Sequence, residues 1–172
     1  MNLCYAGLWK RLSAFLLDFL IIGAYILVLL GIGIGFNVLT GGTSLLASPI
    51  AMNILAFVIL VLPVILYFAL QESSVHQATF GKRRAKIKVA NNQGGRIDFW
   101  QALVRSAIKF LPWQLAHMSV IYVWYSHQSS FSLFAVFVAE GLAIVYVIGL
   151  WFSKKHRTLY DLITGTFVIM AR

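Results

Sequence analysis

The sequence predicts an all-α integral membrane protein: four transmembrane helices, an interfacial amphipathic helix and a small cytoplasmic β element. Three observations predict it. Of 172 residues, 60% are hydrophobic and 11% are charged, where a soluble domain carries about 25% charged residues. Four stretches meet the length of about 20 mostly apolar residues that a span requires. The lysines and arginines sit in the segments that four spans would leave on one side of a membrane. Residues 1–172 are expected to form one membrane domain with no separate soluble domain.

The first span covers about residues 12–36, too long for the roughly 7–15-residue apolar core of a signal peptide, so it is expected to remain in the membrane. The second covers about 52–71, uncharged, with Pro63 near its centre to kink it. The third, about 108–125, is weaker and contains Lys109, Pro112 and His117. The fourth, about 131–152, contains Glu140 and Gly141.

Orientation follows from charge. The segment before span one holds Lys10 and Arg11, and the connection at 72–107 with the start of span three holds eight basic residues from Lys82 to Lys109. The tail at 153–172 holds four, which accounts for all fourteen. The connections at 37–51 and 126–130 hold none. Both termini are therefore expected in the cytoplasm of a multi-pass protein of the cell (inner) membrane. Trp9, Trp100, Trp113 and Trp151 fit an inner aromatic belt, and Tyr122, Trp124 and Tyr125 an outer one. The formal charge of +9 would suggest nucleic acid in a soluble chain. Here it reads as topology and contact with anionic headgroups, with no nucleic-acid partner.

The inner connection is patterned. Residues 84–89 alternate basic and apolar, the period of a half-buried strand. Asn91-Asn92-Gln93-Gly94-Gly95 is turn chemistry, so a hairpin returning through Arg96 and Ile97 is expected. Trp100, Leu103, Val104, Ala107, Ile108 and Leu111 recur at helical spacing, predicting an interfacial helix that runs into span three. Residues 158–164 suit a short helix that Gly165 can end. Residues 166–170 suit a strand, expected to pair with 84–89.

Asp18 is the sharpest single residue, because a carboxylate inside an apolar helix is costly. Seven residues separate it from Arg11, so the two share a face about 10 Å apart. Two readings stand: a proton- or cation-binding carboxylate, or a tether ion-paired with Arg11 or Arg105. Glu140 lies deeper, roughly 20 Å from the inner end of its span, and with Asp18 would suit stepwise cation passage. Asp161 is expected to pair with Arg157 at i,i+4 and fix the tail. Lys82, Arg83, Arg84, Lys86 and Lys88 are expected to contact lipid or another anion. Gly31 and Gly35 form a small-residue pair of the kind that allows close helix contact. Cys4 is alone, which excludes an internal disulfide. His76, His117, His127 and His156 are scattered, no H-E-x-x-H or G-x-S-x-G pattern occurs, and no metal, cofactor or catalysis is expected.

Three segments resemble the RDD family of small membrane proteins, named for one arginine and two aspartates. The first is Ala6-Gly7-Leu8-Trp9-Lys10-Arg11-Leu12 with Asp18. The second is Ala78-Thr79-Phe80-Gly81-Lys82-Arg83 followed by Ile87-Lys88-Val89 and Gly95-Arg96. It is similar to the family's T-P-G-K block, with Phe80 where proline is usual. The third is the run from Arg157 through Asp161 to Thr166, which supplies the second aspartate; Arg105 falls where members also tend to have an arginine. The resemblance implies the fold and a possible transport role. Two functions are therefore carried forward. One is passage of a cation or small solute, coupled to protons, with Asp18 and Glu140 binding and Arg11 and Arg105 tuning. The other is a non-transporting scaffold or interaction module whose basic cytoplasmic layer binds a partner or anionic lipid. A homo-oligomer or a membrane-protein partner is compatible with both.

Overall fold

The computed structural model of the chain describes residues 4–40, 48–126, 129–153 and 156–171. Four helical rods run through it. The first is α1, Leu8–Leu39. In the second, α2 (Pro49–Ala56), a π-helical turn (Phe57–Val61) and α3 (Leu62–Glu72) follow without a break. The third is α5, Phe99–Ser126, and the fourth α6, Ser129–Phe152. Short elements lie between and after them: α4 (Phe80–Arg84), β1 (Ile87–Asn91), α7 (Leu159–Ile163) and β2 (Thr166–Met170).

Among the described residues three helices, Leu8–Leu39, Pro49–Glu72 and Ser132–Phe152, are long and apolar enough to cross a membrane. α5 has the length, but Lys109, Pro112, Gln114 and His117 dilute its apolar character, and it stands outside that set. The expected interfacial helix and third span are one continuous helix.

α1 buries Ala14, Asp18 and Ile22, four residues apart and hence on one face. Many of its other apolar side chains, among them Leu16, Leu20, Leu27 and Leu30, point outward. Outward apolar faces of this extent call for an apolar surrounding. Among the described residues nothing lies within 4 Å of a Cβ built on Gly31 or Gly35, so the expected close contact is not made there. The core between the rods consists of Ile22, Val61, Val64, Ile65, Phe68 and Phe110.

Both interior prolines leave a carbonyl without its helical donor, because proline has no N–H to give to residue i−4. For Pro63 that carbonyl belongs to Ile59, inside the π-helical turn, and the hydroxyl of Tyr25 on α1 donates to it. For Pro112 it belongs to Ile108, and the hydroxyl of Tyr146 on α6 donates to it at 2.6 Å. Each proline thus turns a local defect into a link between rods. Tyr25→Phe and Tyr146→Phe are each expected to lower stability by about 0.6–1.7 kcal/mol, read by denaturant unfolding in detergent micelles. A neutral effect of both would show that the carbonyls find other donors.

One end of the rods carries a polar cap. β1 and β2 pair antiparallel, with Ile87 opposite Met170, Val89 opposite Val168 and Asn91 opposite Thr166, as the β-branched pattern predicts. Residues 4–6 add to the free edge of β2: Ala6 N–H donates to Val168 O and Met170 N–H to Cys4 O, both at 2.9 Å. The other edge of β1 is met by Gln77, whose carbonyl accepts from Val89 N–H at 2.8 Å. With both edges of β1 engaged, the expected hairpin return through Arg96 and Ile97 does not form. The Asn91 side chain closes the turn instead, accepting from the N–H groups of Gln93 and Gly95 at 3.0 and 2.9 Å. Arg84, expected in the strand, ends α4.

Under this sheet lie Ala6, Ala14, Ala69, Ile97 and Ala102, packed on Ile87, Val89 and Val168. α7 forms at Leu159–Ile163, within the expected short helix. The Thr158 hydroxyl accepts from Asp161 N–H and the Asp161 carboxylate from Thr158 N–H, a reciprocal capping box. Gly165 ends it at φ +63°.

Candidate functional site

The chain has five acidic residues, and three of them are sealed inside it. Asp18 is 1% exposed, and Glu72 and Asp161 are 0%. Each is reached from a different rod or from the cap, and together they join the cap to the rods.

Arg105 is the centre. It projects from α5, is 1% exposed, and forks between two carboxylates. Its Nη1 donates to Glu72 Oε2 at 2.5 Å, while Nη2 and Nε donate to Asp161 Oδ1 at 2.7 and 3.1 Å. Nε also donates to the Thr166 hydroxyl at 3.2 Å, and the guanidinium lies 5.0 Å from the Tyr160 ring centroid. A planar guanidinium has the geometry for two carboxylates at once, which an ammonium lacks.

Arg11 completes the other side. Its Nη1 donates to Asp161 Oδ2 at 2.8 Å and its Nε to Ala6 O at 3.1 Å. Lys82, the last residue of the Thr79-Phe80-Gly81-Lys82 block, pairs with Glu72 Oε1. Burial lowers the pKa of the Lys82 ammonium, with Glu72 opposing. Burial alone would raise the Asp161 carboxyl, but Arg105 and then Arg11 outweigh it and hold it well below the usual carboxylate range.

A carboxyl whose folded pKa is depressed contributes stability above its unfolded pKa and loses it as pH falls through the folded value. The melting temperature is therefore expected to be flat from about pH 7 to 5 and to fall below about pH 4, with a shallower fall in Asp161→Asn. An equal acid slope in that variant would assign the effect to other groups.

Asp18 belongs to a second group, with neutral partners. Oδ2 accepts from the Thr79 hydroxyl at 2.5 Å, and Oδ1 from Gly81 N–H at 2.8 Å and the Tyr67 hydroxyl at 3.0 Å. Neither expected arginine reaches it: Arg11 is held by Asp161, and Arg105 by Glu72 and Asp161. The reason is spatial, because α4 fills the space over Asp18. A Cβ on Gly81 would lie 2.0 Å from Ala14 O and 2.9 Å from Asp18 Cγ. Only glycine permits this approach. Thr79 is at once the N-cap of α4 and a donor to Asp18. Phe80 is the first residue of α4, a position where proline is also well tolerated.

The remaining expected site residues lie elsewhere. Glu140 is exposed on α6 and makes none of the Asp18 contacts. Arg157 does not pair with the Asp161 carboxylate. It donates to the Asp161 backbone carbonyl at 3.0 Å and sits 4.4 Å from the Phe167 ring centroid, because both Asp161 oxygens are taken. Arg83, Arg84 and Lys86 are exposed and Lys88 half-buried, whereas Lys82 is buried in the cluster instead of facing headgroups. Among the described residues, no group of three or more His, Cys, Asp or Glu could hold a metal ion.

Glu72, Tyr67 and Lys109 were not singled out by the sequence. Glu72 falls one residue beyond the apolar run of span two and so reads as loop. Its signal was scarcity: with five acids against fourteen bases, each acid is a candidate counter-ion.

The model of the RDD family matches residues 5–165. No curated protein and no solved structure matches the chain. The arginine and two aspartates that mark the resemblance, Arg11, Asp18 and Asp161, are the residues that fasten the cap: Arg11 to Asp161, and Asp18 to the Thr79–Lys82 block.

Proposed function

Given that this chain belongs to the RDD family, we propose that it is a non-transporting, non-catalytic membrane module whose rods hold a basic cap in fixed geometry for an anionic partner. In this reading α5 is also a span, the third of four, and both termini, with the cap, are cytoplasmic. Arg83, Arg84, Lys86 and Arg96 form its exposed basic face.

The observation that carries the reading is that donors of the chain hold both oxygens of Asp18. A carboxylate that binds a passing cation does so with acceptor sites its neighbours leave open. Asp18 is 1% exposed and its oxygens accept from Thr79, Gly81 and Tyr67. The second carboxylate of a stepwise path, Glu140, is exposed on α6.

Reconstituted into liposomes loaded with a pH- or cation-sensitive dye, the protein is expected to give no flux above protein-free vesicles. Flux that Asp18→Asn abolishes while the protein stays folded would overturn the reading in favour of transport. In nanodiscs, an acidic peptide probe should bind with strong salt dependence. Charge reversal at Arg83, Arg84 and Lys86 together should weaken it by more than about tenfold, at about 1 kcal/mol per charge. Binding indifferent to that reversal would sink the partner-binding half.

A further inference from the structure

Beside the ionic cluster, a cavity of about 420 Å³ lies between α1 on one side and α5 and α6 on the other. That is within the range of small-ligand sites, roughly 300–1,000 Å³. Its walls are apolar, with Phe15 of α1, Trp113 of α5 and Val147 and Leu150 of α6. Its polar end is cationic: Arg11, Lys82, Arg105 and Lys109 face Asp18 as the sole carboxylate in the lining.

The charges there do not balance. Glu72 and Asp161 are matched by Lys82, Arg105 and Arg11, and Asp18 is engaged by neutral donors. Lys109 is left over. Among the described residues its ammonium meets no carboxylate within ion-pair distance. It lies 3.5 Å from the Phe68 ring centroid, 5.1 Å from that of Phe110 and 5.5 Å from that of Phe15. Ring faces stabilise a cation but accept none of its three hydrogen bonds in full. In the same lining, Arg11 Nη2 is buried without a hydrogen-bond partner; the Arg11 side chain is only 9% exposed. Lys109 Nζ and Arg11 Nη2 thus share one cavity with an apolar wall, and among the described residues no carboxylate takes up either donor.

We propose that this cavity holds one anionic phospholipid, its phosphate on Lys109 Nζ and Arg11 Nη2 and an acyl chain along Phe15, Trp113, Val147 and Leu150. A guanidinium and an ammonium converging on one group suit a phosphate's spread oxygens. The lateral position of the cavity between rods suits a chain that enters from the bilayer. The inference rests on the membrane setting of the proposed function, not on its basic face or on the absence of transport.

The test is native mass spectrometry and thermal melting of the detergent-purified protein with phosphatidylglycerol, phosphatidylcholine or inorganic phosphate added. One phosphatidylglycerol per chain should be retained, with a raised melting temperature, whereas phosphatidylcholine and inorganic phosphate should give neither. Lys109→Gln should lose the retained lipid. Should that variant not fold, Val147→Trp, which fills the wall and leaves both cations in place, should lose it also. Charge reversal at Arg83, Arg84 and Lys86 should leave it bound, which separates this site from the basic face. Equal retention of phosphatidylcholine would overturn the charge match, and a full shift from inorganic phosphate would assign the site to a free anion. Retention undiminished in Val147→Trp would place the lipid elsewhere.

Discussion

Arg105→Ala is expected to cost about 3–5 kcal/mol, the usual price of removing one member of a buried charge network. That is a large share of a total stability of about 5–15 kcal/mol. The substitution strips Glu72 of its 2.5 Å partner and Asp161 of its 2.7 Å partner, leaving two carboxylates sealed from water with one cation each. Lost packing adds to this, since the guanidinium also covers the Tyr160 ring. Two further variants separate the contributions. Arg105→Lys keeps the charge but cannot fork between both carboxylates, so it should recover only part of the loss. Arg105→Met refills the lost volume without the charge, so its gain over Arg105→Ala measures the packing contribution alone. Denaturant unfolding in micelles measures all three. A loss under about 1 kcal/mol in Arg105→Ala would mean that the network is solvated and that its buried geometry is not what holds the cap.

Asp18→Asn is expected to cost about 1.5–3 kcal/mol, the range for hydrogen bonds to a charged group. The amide is nearly isosteric, so packing against Ala14 and Gly81 is kept. One of its two ends must nevertheless present N–H groups to donors: the Gly81 N–H and Tyr67 hydroxyl on one side, or the Thr79 hydroxyl on the other. The hydroxyls can rotate to accept, but the Gly81 N–H cannot. The loss should therefore appear first as loosening of α4 from α1, ahead of any separation of the rods.

The rods were legible because apolar length is written directly in the sequence, and the pairing of β1 with β2 because both segments carry strand composition on the same side of the inferred topology. The partners of the charges were not legible. Helical spacing puts Arg11 and Asp18 on one face, and that proximity along α1 suggested a pair. The competing attraction comes from Asp161, 150 positions along the chain, and no local pattern encodes that distance. Likewise α7's i,i+4 spacing suggested Arg157 for Asp161, yet the capping box and two buried guanidiniums occupy both oxygens first. Glu72 escaped because a helix end in a hydropathy profile is drawn where charge begins, and here the charge is part of the buried cluster. Gly81 was visible as a motif residue. Its purpose, a backbone approach with no room for a Cβ, is a property of two elements together.

In the proposed function Asp18 is a fastening between α1 and the Thr79–Lys82 block and not a transit point for ions. Hydrogen exchange read by mass spectrometry on a peptide covering residues 79–85, in the parent and in Asp18→Asn, tests it most directly. Slow exchange is expected in the parent and a rise confined to that segment in the variant, with the exchange of α3 and α5 unchanged. Equal protection of residues 79–85 in both proteins would contradict it, because α4 would then be held in place without the Asp18 carboxylate.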